Sequence, residues 1–176
     1  VGGLSPAARQ LHHPRSPLPG FVPVGVDEGV PKNPFEAVVP PLLRAFAPDA
    51  LVIQLGIDAH RTDPLTHLAL SIQGFLRAVR RLLEFAPRVV ALGGGGYDIA
   101  NVARAWTGSW AALNDMTLPE PIPASLHADL RALGLESMTL SDPPAELDAD
   151  TRRWAVEFAA RQVRSIREEI FPVHGL

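Results

Sequence analysis

Two short stretches of this 176-residue chain hold the residues best suited to chemistry. The first, "GIDAHRTDP", gathers Asp58, His60 and Asp63 within six residues. Carboxylate and imidazole are both metal ligands, so an Asp-x-His pair invites a zinc reading. Asp63-Pro64 equally suits plain turn chemistry. The second, "ALGGGGYDIANVARAWTGSW", puts four glycines directly ahead of the chain's single tyrosine, Tyr97. A glycine run between strand and helix suggests a phosphate cradle, but the details fail. Asp98 and Ile99 stand where a dinucleotide loop needs its third glycine, and no Lys followed by Ser or Thr completes a triphosphate loop. Asp98 at a helix start would also repel phosphate. Glycines have another use: they let backbone approach a ligand closely and hold a neighbouring side chain at a fixed angle. Tyr97 would then project a phenol from a strand end, either to donate to a developing oxyanion or to fill a gap above the sheet. His12-His13 lies in featureless proline-rich chain, and His67 reads as solvated or as a capping contact. Asp115, His127 and His174 carry no pattern.

Around these stretches the composition is that of a globular domain, 47% hydrophobic and 20% charged, long enough to build one core. A net charge of −3 supplies no basic footprint for nucleic acid. Without cysteine there is neither disulfide nor thiolate chemistry. No apolar run reaches membrane-spanning length and no signal-peptide pattern opens the chain. The expectation is a cytoplasmic protein with no membrane partner. Val1 in place of Met suits a fragment or a processed product.

The positioning elements follow from periodicity. Residues 1–34 are dense in proline and glycine and read as irregular. "FEAVVPPLLRAFAP" predicts a helix in which Pro40 and Pro41 fit best at the opening of a second part. "DALVIQLG" and "RVVALG" are continuous apolar runs, as expected of strands buried on both faces. The stretch 65–86, with apolar residues at 68, 72, 75, 76, 79, 82 and 83, predicts a helix. "IANVARAWTGSWAAL" predicts another, residues 124–133 a short one, and "DTRRWAVEFAARQVRSIREEIF" an amphipathic closing helix. Strands alternating with helices imply a parallel α/β sheet, whose ligands gather at the carboxyl ends of the strands. Both chemical stretches leave strands at that end.

Taken together, "LVIQLGIDAHRTDPLTHLALS" and "LGGGGYDIANVARAWTGSWAAL" resemble the zinc-dependent histone deacetylase family, and within it the bacterial acetoin-utilisation deacetylases. The likeness runs from about Phe35 to the closing "IREEIFPVHGL" and is strongest over 51–110. It implies a three-layer, parallel-sheet arginase/deacetylase-like α/β fold, incomplete here, with residues 35–176 as the C-terminal part of a deacetylase domain. It implies an amide hydrolase that uses Zn²⁺ to remove acetyl groups from acetyl-lysine on proteins or from small acetylated amides. Residue by residue, Asp58 matches the family's last zinc ligand and Tyr97 the tyrosine that stabilises the tetrahedral oxyanion. Leu65 matches a wall of the acyl-lysine tunnel, and Gly95 and Gly96 the floor beside the tyrosine. His60 is not the family's Asp-x-His ligand pair, which belongs upstream; it matches a supporting or rim position. Asp98 and Ala69 stand where many relatives carry Asn, which alters supporting hydrogen bonds. The family also needs a tandem histidine and two further zinc ligands, and residues 1–34 contain nothing that fits. The resemblance therefore implies a C-terminal piece, inactive alone. Two other readings stay open: a non-catalytic remnant or interaction module that keeps the fold, and a phosphate-binding α/β domain.

Overall fold

The computed structural model of the chain describes residues 33–66, 68–144 and 148–176. Helix α1, Pro34–Phe46, starts where Asn33 accepts a hydrogen bond from the Phe35 amide (3.0 Å), with Pro34 in the first turn, where no donor is needed. It runs unbroken through Pro40 and Pro41, which withhold donors from Glu36 and Ala37. Ala47, in the left-handed conformation, ends it. Strand β1, Leu51–Gln54, pairs in parallel with β2, Val89–Leu92, Leu51 opposite Val89. Between them lies α2, Ile72–Leu82, extended by a 3-10 turn at Leu83–Phe85. Then come α3, Ile99–Leu113, the short α4, His127–Ala132, and α5, Ala149–Glu169. Helices α2 and α3 pack together over one face of the strands, and α5 packs on α1. Asp148 caps α5, on which Trp154 and Phe158 stack 5.4 Å apart.

The sheet is where the three-layer expectation is corrected. Among the described residues it has two strands, β1 and β2, within a mostly helical chain. Nor are the strands buried on both faces. Ile53, Leu55 and Ile57 turn into a core with Leu70, Ile72, Phe75, Leu76, Val79 and Ala105. On the opposite face Val52, Val90 and Leu92 are 64%, 53% and 51% exposed. A continuous apolar run cannot tell a strand covered twice from one covered once, because both alternating faces carry the same residue type.

Helix α2 also starts later than its periodicity suggests. Leu70 donates to the Ala59 carbonyl and accepts from the Arg61 amide, both at 3.1 Å, which holds this stretch extended against the segment after β1. The Thr66 hydroxyl adds a bond to the Asp58 carbonyl (2.6 Å). Only after Ser71, which caps the Gly74 amide, does the helix begin. Leu68, which fits the helical spacing, thus lies in this extended stretch and not on a helix face.

Candidate functional site

Beyond β1 and β2 the two chains stay side by side. The Leu55 amide donates to the Leu92 carbonyl (2.8 Å) and the Ile57 amide to the Gly95 carbonyl (2.7 Å). The glycine run is what permits this approach. A Cβ on Gly94 would lie 2.5 Å from the Gly56 nitrogen and 2.6 Å from its Cα. Gly96 sits at φ 150°, where glycine is favoured, and a Cβ there would meet Val102 and Ile57 at 2.6 and 2.8 Å. Gly95 cradles a carboxylate, since its Cβ would fall 2.9 Å from Asp58 Oδ2. Tyr97 follows directly and is 56% exposed. Its hydroxyl makes no hydrogen bond among the described residues. Tyr97→Phe should therefore leave the thermal midpoint almost unmoved, within about 0.5 kcal/mol; a melting curve checks this.

The polar residues around this rim divide sharply by what they already hold. Asp63 is 6% exposed and uses both oxygens on backbone: Oδ1 accepts from the Leu65 amide (2.9 Å) and Oδ2 from the Tyr97 amide (2.8 Å). The first bond is the turn chemistry expected of Asp63-Pro64; the second crosses to the glycine loop. Asp98 caps α3 and accepts from the Thr62 hydroxyl (2.5 Å) and the Asn101 side chain (2.6 Å). His60 is 1% exposed, behind the rim and not on it. Its Nε2 lies 2.9 Å from Asp142 Oδ2. A carboxylate can only accept, so Nε2 carries the proton and Nδ1 is left to accept from Asn101, 2.9 Å away. Asp142 also takes the Ile72 amide (2.7 Å) and Arg104 Nη2 (2.7 Å). Burial pushes the Asp142 carboxyl up, but the His60 hydrogen bond, the Ile72 amide and the attraction of Arg104 outweigh it. The carboxyl is held well below the usual carboxylate range.

Asp58 is the exception, a half-buried carboxylate with no hydrogen bond or ion pair among the described residues. It has the chemistry of a metal ligand. His60, Asp63 and Asp98, its neighbours in sequence or space, are already committed. Among the described residues no group of three or more His, Cys, Asp or Glu side chains could hold a metal ion. These residues fit one ligand of a zinc site and not the site. His12, His13 and His67 lie outside the described residues.

Asn101, Arg104, Thr62 and Asp142 escaped the sequence reading. Asn101 and Arg104 carried a signal, since they recur with Ala100, Ala105 and Gly108 on the buried face of α3. Long polar side chains on a buried face of otherwise small residues need partners inside. Asp142, in a proline-rich connection, carried none.

Paired strand ends thus present an uncommitted carboxylate, Asp58, beside a glycine-shaped loop that carries the exposed Tyr97. The family model for the histone deacetylase domain matches residues 17–113, more than half of the chain, and the chain belongs to that family. It is 32% identical over 99 residues to "Histone deacetylase RPD3" of Saccharomyces cerevisiae, covering 56% of this chain and 23% of that protein. It is 35% identical over 99 residues to "Histone deacetylase 1" of Homo sapiens, covering 56% of this chain and 20% of the relative. "Type-1 histone deacetylase 1" of Dictyostelium discoideum is 34% identical over 100 residues, 54% of this chain and 20% of that one. The chain thus spans about a fifth of the length of these relatives. These matches correct the narrower likeness to bacterial acetoin-utilisation deacetylases as a C-terminal portion. The relatives named above are eukaryotic, and the family match ends at residue 113, so the closing helix carries none of it.

Proposed function

We infer that this chain is a deacetylase-family module that does not hydrolyse amides by itself. It presents one wall of an acyl-lysine site: Asp58 as a ligand, Tyr97 as a donor to the substrate carbonyl, Leu65 along the acyl chain, and Gly95 and Gly96 beneath. The carrying observation is the division of labour at the rim. Asp58 alone is uncommitted there, while Asp63 and Asp98 are spent on internal hydrogen bonds and His60, behind the rim, is held by Asp142. A catalytic zinc takes three protein ligands and keeps a fourth position open, so this wall needs donors that the described residues do not offer. The acetylated partner, on a protein or a small amide, is the one the family likeness suggests.

The test is metal analysis of the purified chain after dialysis against Zn²⁺-free buffer, beside a deacetylation assay on an acetyl-lysine peptide. The expected result is substoichiometric zinc and no turnover above buffer. One tightly held zinc per chain, with turnover that Asp58→Ala abolishes, would overturn this reading in favour of a self-sufficient zinc-dependent deacetylase.

A further inference from the structure

The geometry points to Asp63 as a positioning residue, a single buried carboxylate that sets the Tyr97 loop and the Leu65 loop in register with each other. The proposal rests on the reading of Tyr97 and Leu65 as two sides of one acyl site. The two residues leave different strands and are 32 positions apart. The Tyr97 loop gains little from its own glycines, which have no side chains to pack. What fixes its far end is the Tyr97 amide on Asp63 Oδ2, at 2.8 Å. The other oxygen of the same carboxylate holds the Leu65 amide at 2.9 Å. Asp63 is itself 6% exposed and its own amide is bonded to the His60 carbonyl (2.9 Å), which anchors its backbone independently of the Tyr97 loop. His60 is in turn anchored to Asp142. A carboxylate is the one side chain of this size that can accept from two amides on two separate oxygens. An amide side chain offers one oxygen and sets its NH₂ against the second donor.

Because Tyr97 is the only tyrosine, ¹⁵N-tyrosine labelling of the whole chain gives one backbone amide signal, and the Leu65 amide is followed by leucine labelling. In the unaltered chain both amides should be protected from hydrogen exchange; exchange of Tyr97 at the rate of an unstructured amide would sink the proposal. In Asp63→Asn one of the two amides should exchange about tenfold faster, as expected on losing a bond to a charged acceptor. In Asp63→Ala both should. The Trp106 indole, bonded to the Leu55 carbonyl at 2.8 Å, is the internal control and should stay put. A purely structural role for Asp63 predicts that Trp106, Tyr97 and Leu65 loosen together, and that pattern, or a folded variant with both amides unchanged, overturns the assignment. If Asp63→Ala does not fold, the Asn variant and the unaltered chain still decide. The readout is two amides and not turnover, so it is independent of the metal and activity measurements that test the function.

Discussion

Gly96→Ala should unfold about 6–12 °C below the unaltered chain, a loss of about 3 kcal/mol. Two costs add. Gly96 sits at φ 150°, a backbone state that costs an L-residue about 1–3 kcal/mol. The new Cβ would also press on Val102 and Ile57 at 2.6 and 2.8 Å, and Ile57 is among the most deeply buried side chains. Gly134→Ala separates the two costs. Its φ of 87° is also positive, but a Cβ there meets nothing within 4 Å, so it carries strain without crowding. It should cost about 1–2 kcal/mol. Equal shifts for the two variants would mean that crowding at the glycine loop contributes nothing. Gly94→Ala should be no milder than Gly96→Ala, since its Cβ would meet backbone of the opposite strand end, which cannot rotate away.

Asp142→Ala is the second large effect, about 3–5 kcal/mol, the usual cost of leaving buried partners uncompensated. The substitution strands the His60 Nε2 proton, the Ile72 amide and Arg104 Nη2 together. The same carboxylate governs the acid side. Its folded-state pKa is lowered relative to the unfolded chain, so the native state binds its proton less readily. The stabilisation is fully present above the unfolded value, about pH 4, and is lost as pH falls toward the folded one. Thermal melts of the unaltered chain should therefore drop steeply below about pH 4, and those of Asp142→Asn should start lower and flatten. Parallel pH dependences would show that other carboxylates drive acid unfolding.

The outlines of α1, β1, β2, α3 and α5 were legible because each owes its place to local period and caps. The grouping of the candidate residues was legible to the extent that they sit close in sequence. Asp58, Asp63 and Tyr97 stand beside strand ends, and glycine next to tyrosine is itself a geometric statement. The start of α2 was not legible, because Leu68 obeys helical spacing while lying in the extended stretch that pairs through Leu70 with the segment after β1. The bare sheet face was hidden for a similar reason: Val52, Val90 and Leu92 are residues that a covered strand would also use. Least legible was the partner of His60, which lies 82 residues away and was reached by folding alone.

That distance bears on the order in which the molecule is made. Translation delivers His60, then Asn101 and Arg104, and last Asp142. A nascent chain that has emerged to Leu113 contains every residue of the family match, yet His60 and Arg104 then face no carboxylate and α2 has no acceptor for its first amide. Closing such a long loop is entropically slow relative to local helix formation. The polar cluster of His60, Arg104 and the Ile72 amide behind the rim is therefore complete only once the Asp142 segment has docked.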